Sequence, residues 1–399
     1  MLINRIIGKV RRGISSIPDL YKREILRKAY LTKSHSISIV SDANEYPEQD
    51  GAVLSLAQEL RTGIIDNYRH KYASKPYRFL LHLPESGVGI VWFKDLMQIL
   101  EYTGIACTSV SYKDPAFKTI WNEFKPNVFI SIDTAKMLRV LDLEFIRQYK
   151  QEHGCLRLFT PYPKHKFPNP GMSAEDQWRL ELAKAGKSAD AYFCMYVDEY
   201  FDMFLPEWVQ AGFSYLALPH GCNPLYQYPH QGTKKYDYFM ATSYGHERIR
   251  VTWEYMKPVF EKYAGLWAGP GWGFGLGRVN ADKLPQYYAE SKIVPNPLAA
   301  QLINYPMEIT ERTFSAMASG AFQITDWTPV TDRFFKENEL IRVHGKDDFL
   351  EKFEYYLAHD EERTKILTAG MQRLYQEHTY FHRIDQLIAY VDELTTTGA

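Results

Sequence analysis

The run EITERT (308–313) puts two carboxylates, a guanidinium and two hydroxyls side by side in the chain. Thr310 suits the N-cap of a helix bearing Arg312 and Thr313, and a helix amino end offers unpaired N–H groups and a positive dipole end to an anion. The spacing therefore predicts an anion seat at residues 310–313, with Arg312 and Lys292 as side-chain cations for phosphate groups. The plainer alternative makes Lys292 and Arg312 ordinary surface charges. Glu308 and Glu311 also read two ways, as ligands for hydroxyls or as acids well placed beside a helix start.

Three further stretches carry residue types that bind or react. WAGPGWGFGLG (267–277) bends sharply and holds Trp267 and Trp272; its glycines, Gly271 among them, let backbone approach a ring, with Trp272 stacking on it. The same composition describes a flexible loop, and no GxGxxG fingerprint is in register with a strand and helix. TSYGHER (242–248) follows a strand, which places Tyr244, Gly245 and Arg248 where a ligand of that sheet would lie. HLPESGVG (82–89) follows another strand, and ligands of α/β sheets bind at such carboxyl ends. Glu85 is the leading candidate base there, since deprotonating a hydroxyl needs a nearby carboxylate or imidazole. Asp133, His165 and His220 compete with it, and each is equally explained as a structural residue.

Short apolar runs alternating with amphipathic helical patterns must position these residues. RFLLHL (78–83), IACTSVSY (105–112), NVFISI (127–132), CLRLFT (155–160) and ADAYFCMY (189–196) read as strands with helical segments between them. The Pro-, His- and Tyr-rich stretch 218–235 interrupts the cycle and reads as a linker. YDYFMAT (236–242), GLWAG (265–269), KIVPN (292–296), AFQITD (321–326) and ELIRVH (339–344) then form a second set, and three helices close the chain. The pattern predicts an α/β protein of two Rossmann-like domains, 76–217 and 236–380, facing across a cleft. Residues 1–75 are expected to extend the first domain, and the helix 381–399 to cross back to it.

Composition narrows the function classes. A net charge of -1 provides no global field for nucleic acid. Cys107, Cys155, Cys194 and Cys222 form no CxxC pair, so neither a disulfide framework nor a metal site is expected and a reducing compartment is the simpler inference. No stretch approaches the roughly 20 apolar residues of a membrane span, and the start MLINRIIGKVRR lacks the features of a signal peptide. The expectation is a cytoplasmic protein. Residues 1–35 hold nine Lys or Arg against Asp19 and Glu24, with Ile6, Ile7, Val10, Ile14 and Ile17 on or near one helical face. Such a basic segment either lies on the inner membrane surface or packs on its own domain.

The second half also resembles a known family. Ser291–Ile293, Arg312–Phe314, Ser319–Gly320, Asp326, Tyr356–Leu357, Glu362–Arg363, Ala369–Gly370 and His378–Tyr380 with Arg383 are spaced as in the CgeB-like sugar transferases, over roughly residues 236–390. The resemblance implies a GT-B glycosyltransferase that takes a nucleotide-diphosphate sugar without a metal or other cofactor. It implies a donor domain in the second half, with Tyr244, Gly245, Arg248 and the 308–313 run facing the donor, and an acceptor domain in the first. The acceptor would be a hydroxyl of a glycan, lipid-linked glycan or protein, as in polysaccharide biosynthesis. Related retaining transferases use two glutamates with seven residues between them; here Ser315 and Met307, eight positions apart, break that pattern. The implied alternatives are a nucleotide-sugar epimerase of the same architecture and an interaction protein on a decayed scaffold.

Overall fold

The computed structural model of this chain describes residues 17–34, 51–85, 88–161, 172–231 and 234–397. Within them the helices used below are α1 (Ile17–Ser34), α2 (Gly51–Tyr68), α3 (Val88–Tyr102), α4 (His246–Val251), α5 (Glu311–Ala318), α6 (Lys346–Ala358), α7 (Asp360–Glu377) and α8 (Tyr380–Thr397). Two compact units divide the chain: one comprises 62–223, 307–309 and 378–399, the other 224–306 and 310–377 together with the described residues up to 61.

The first unit holds β1 (Arg78–His82), β2 (Ala106–Val110), β3 (Val128–Asp133), β4 (Leu156–Pro161), β5 (Ala191–Cys194) and β6 (Tyr215–Ala217). They form one parallel sheet in the order β2-β1-β3-β4-β5-β6. β3 and β4 are buried along their whole length, as strands covered on both faces must be. Its core joins Leu80, Phe129 and Phe159 to Trp121 and Trp208. α8 docks on this unit: Phe381 stacks on Tyr68, and the hydroxyls of Tyr68 and Tyr72 donate to Asp385. Arg383 donates to the carbonyls of Pro219 and His220. The His-Thr-Tyr-x-x-Arg run thus ties the last helix to the 218–223 loop.

The second unit holds β7 (Tyr236–Ala241), β8 (Gly265–Ala268), β9 (Ser291–Asn296), β10 (Phe322–Asp326) and β11 (Ile341–Val343). They form a parallel sheet in the order β11-β10-β9-β7-β8. Both sheets repeat one topology, in which the first strand lies between the second and the third. The crossovers leave the first strand on one side and reach the third on the other, so a crevice opens at the carboxyl ends of that pair. It lies between β1 and β3 in one unit and between β7 and β9 in the other.

The expectation that residues 1–75 extend the first domain fails for α1 and for α2 as far as Arg61, which group with the second unit. Leu26 and Tyr30 are buried in the second unit's core, with the Tyr30 ring against Phe260 and Phe274. Its basic residues also find partners there: Lys22 lies over the Trp253 ring, and Arg23 donates to the Gly271 carbonyl at 3.2 Å. Apolar burial near two helix turns decides the partner, whatever the chain order. Ile6, Ile7, Val10 and Ile14 lie outside the described residues. Among the described residues no helix is long and apolar enough to cross a membrane.

Candidate functional site

The second unit's crevice is bridged by one side chain. Arg312 donates from Nη1 to Asn296 Oδ1 at 3.0 Å and from Nη2 to the carbonyl of Ala241. Ala241 ends β7 and Asn296 ends β9, so the guanidinium spans the switch point itself. Asn296 is buried, and its Nδ2 donates to the hydroxyls of Thr310 and Thr313 at 3.1 Å each. These bonds fix the arginine fork at the strand ends.

α5 starts at the same place. Thr310 holds the N-cap position in extended conformation, but its side chain makes no capping bond. Its hydroxyl faces Thr313 and Asn296 instead, which corrects the expected capping role. The first turn therefore keeps N–H groups that no side chain has claimed, at the positive end of the helix dipole. Glu311 accepts from Gln227 Nε2 at 3.3 Å. Packing around its carboxyl pushes its pKa above the ordinary carboxylate value, against the opposing pull of Ser315, Arg312 and Gln227. A fixed cation, an uncapped helix end and two hydroxyls converge on one crevice. That arrangement suits an oxyanion such as a diphosphate.

Two loops form the rim beside β7. The Tyr244 N–H donates to the carbonyl of Pro270 at 2.9 Å, joining the β7–α4 loop to the glycine-rich loop. Gly245 precedes α4, and Arg248 sits in its first turn, half-buried. Gly269, at φ +135, could not bear a side chain, because a Cβ there would lie 1.8 Å from the Thr242 carbonyl oxygen. The predicted stacking role of Trp272 is overturned. Its ring is fully buried among Trp267, Phe274 and Tyr244, and its indole N–H donates to Thr242 O at 2.7 Å. The ring folds inward as the bolt of this loop. Arg23, which sequence reasoning missed, lies over the Tyr244 ring at 5.4 Å and holds Gly271.

Other predicted residues lie elsewhere. Lys292 is the second residue of β9 and pairs with Asp237 at 3.6 Å, at the amino end of the sheet. Four residues separate it from Asn296, about 13 Å at roughly 3.3 Å per residue, so Lys292 is no part of the anion seat. Glu308 belongs to the 307–309 segment that packs with the first unit, where Val197 N donates to Met307 O at 2.9 Å. Glu311, three residues on, belongs to the second unit.

In the first unit Glu85 is exposed and paired with Lys136 at 2.7 Å, and that ammonium holds its carboxyl below the usual range. Asp133 is buried in a bidentate pair with Arg179, at 2.9 Å on both oxygens, and is not available as a base. His220 is buried with Nδ1 3.5 Å from the Tyr380 hydroxyl, and burial drives its pKa to about 4. An enclosed imidazole of such low basicity is a structural residue, which corrects its catalytic assignment. His165 lies outside the described residues. Asn296 and Gln227 were also missed, although a polar residue closing an apolar strand marks the ligand end. Among the described residues no cluster of three or more His, Cys, Asp or Glu is arranged to hold a metal ion.

Two α/β units, each with its own parallel-sheet switch point, define the GT-B class. Solved structures of that class share the architecture. Sucrose-phosphate synthase from Thermosynechococcus elongatus matches with a TM-score of 0.58 and 13% identity over 80% of this chain and 100% of that one. An alpha-glucosyltransferase in complex with UDP-glucose and DNA containing an abasic site matches at 0.55 and 10%, over 79% and 99%. Anabaena HepE in complex with UDP and glucose gives 0.53 and 10%, over 79% and 99%. Residues 253–389 match the family model described as glycosyl transferase-like. A segment of 69 residues is 38% identical to the spore protein CgeB of Bacillus subtilis (strain 168), covering 17% of this chain and 20% of that protein. The chain thus matches about one fifth of the length of this curated relative.

Proposed function

We propose that this chain is a glycosyltransferase that moves a sugar from a nucleotide diphosphate to an acceptor hydroxyl on a glycan, lipid-linked glycan or protein. The observation that carries the reading is the Arg312 fork across the β7/β9 crevice, set beside the uncapped start of α5. In the transfer, the acceptor oxygen forms a bond to the anomeric carbon as that carbon's bond to the diphosphate oxygen breaks. The acceptor proton passes to a base, and the nucleotide diphosphate leaves with the bonding electrons. Charge builds on the leaving diphosphate, where Arg312 and the helix N–H groups supply compensation without a metal. The glycosyl transferase-like segment and the UDP and UDP-glucose complexes among the structural neighbours support this reading. Glu85, exposed just beyond β1, is the proposed base; its pairing with Lys136 keeps it ionised at neutral pH.

The test is release of nucleotide diphosphate from a panel of sugar donors in the presence of EDTA, with glycan and lipid-linked acceptors. Turnover that persists in EDTA and falls at least about 100-fold in Arg312→Ala is expected, from loss of transition-state contacts worth roughly 3 kcal/mol. A strict requirement for manganese would overturn the metal-free part. Donor binding with no turnover on any acceptor would favour a non-catalytic scaffold, the reading that Ser315 at the expected glutamate position supports.

A further inference from the structure

A second cavity, of about 930 Å³, lies in the second unit outside the edge strand β11, between the end of β10, α6 and α7. It is separate from the crevice that holds Arg312. β9 and β11 are two strand spacings apart, about 10 Å, and the crevice lies on the far side of β9.

The cavity's wall carries an aromatic side chain in an unusual position. Trp327 follows β10 directly, and 39% of its surface is exposed, whereas Trp267 and Trp272 in the same unit are fully buried. It is held rigidly all the same. Its backbone N–H donates to Val343 O at 2.9 Å and its indole N–H to Asp332 Oδ2 at 2.9 Å. Its ring lies 5.4 Å from the His344 ring. An exposed indole locked by its own polar atom presents a preorganised apolar face, at low entropic cost to a ligand.

Around this platform the lining is charged but balanced: Asp332, Glu337 and Glu362 face Arg342, Lys352 and Lys365. Part of that charge is internally matched, since Arg342 pairs with Asp332 and Lys352 pairs with Asp348 at 3.1 Å. Three acids against three bases give no net field for a polyanion or a polycation. They do offer both donors and acceptors. A flat apolar face ringed by hydrogen-bonding groups of both signs matches the chemistry of a pyranose, which has C–H faces and a hydroxyl edge. The volume is at the upper end for small-molecule clefts, which leaves room for more than one sugar ring.

We infer that this cavity is a second, non-catalytic binding site for a neutral oligosaccharide, with Trp327 as its stacking platform. It rests on the cavity's own chemistry and gives the proposed transferase a hold on the non-reacting part of a glycan.

The experiment is calorimetric titration of the full-length chain with malto-, cello- and chito-hexaose, each with and without saturating UDP. At least one hexaose is expected to bind with a dissociation constant of about 1 mM or tighter. Trp327→Ala should weaken it about tenfold, through loss of the stacking face, and Trp327→Phe should stay within about threefold. UDP should leave the affinity unchanged. Melting temperatures of both variants check folding, and the Phe variant keeps the test valid if the Ala variant is unstable. The inference is overturned if none of the hexaoses binds, if Trp327→Ala binds as tightly as the parent, or if UDP displaces the sugar. Hexaose binding by a chain that itself binds none of the nucleoside diphosphates would retain this site while removing the transferase reading.

Discussion

The two switch points share a topology and differ in what their charges do. Beyond β1 and β3 these charges are paired: Asp133 and Asp176 share Arg179, and Glu85 holds Lys136. Between β7 and β9, Arg312 donates to a carbonyl and an amide oxygen, and the neighbouring carboxyl that feels its charge, that of Glu311, is pushed by burial toward its neutral form. The helix that starts there keeps its first N–H groups uncapped by a side chain. Topology makes the crevice; the local charge balance decides whether it attracts an anion.

Breaking the first unit's balance should have the largest effect. Arg179→Ala leaves Asp133 and Asp176 buried without their cation, which costs about 3–5 kcal/mol. Chemical denaturation should show this loss, while nucleotide affinity of the folded protein stays unchanged.

Acid should separate the units next. Burial lowers the pKa of His82 and of His220, both in the first unit, from 6.5 to about 4. Between those values the unfolded state binds protons that the native state does not, so stability falls as pH drops from about 6.5 to about 4. Each histidine contributes up to roughly 3 kcal/mol to that fall. Glu311 and Asp326, in the second unit, have pKa values raised by burial and carry the opposite sign. For them the native state takes up protons first, so acidification stabilises. Hydrogen exchange at pH 7 and pH 4.5 should show protection lost from β1 and β3 before β7 and β9. Simultaneous loss from both sheets would count against this assignment of the titrating groups.

Arg312 is the next largest. Arg312→Ala should weaken nucleotide-diphosphate binding about 10- to 100-fold, since hydrogen bonds to a charged group are worth roughly 1.5–3 kcal/mol. Arg312→Lys should not restore it, because a point charge cannot reach both strand ends. The smallest effect belongs to Lys292→Ala. Its ion pair with Asp237 lies at the opposite end of the sheet, so affinity should be unchanged and stability should shift by less than about 1 kcal/mol. A clear loss of affinity there would return Lys292 to the site.

The strands were legible because each is a short apolar run between turn signals, and doubly covered parallel strands need little else. β6 (Tyr215–Ala217) escaped notice because three half-buried residues leave no periodicity to read. The start of α5 was legible from Thr310 to Thr313, since helix starts follow local rules. Which end of a strand a charge occupies was equally available but unused: Lys292 lies near the start of its strand and Asn296 closes it. Trp272 could not be placed from composition, because the same glycines that permit an exposed loop let the chain fold its ring inward. Glu308 and Glu311 are adjacent in sequence, yet they divide between units at a point that no local pattern marks. Arg23 was hidden for a related reason: its helix docks on residues more than 200 positions away.

Titration calorimetry of UDP, GDP, dTDP, CDP and CMP into the chain and into Arg312→Ala, with EDTA present, tests the central claim most directly. The account predicts that one nucleoside diphosphate binds in EDTA and that Arg312→Ala weakens it at least about tenfold, or ~1.4 kcal/mol. Binding that is unchanged in Arg312→Ala, or no binding by any of the five, would contradict it.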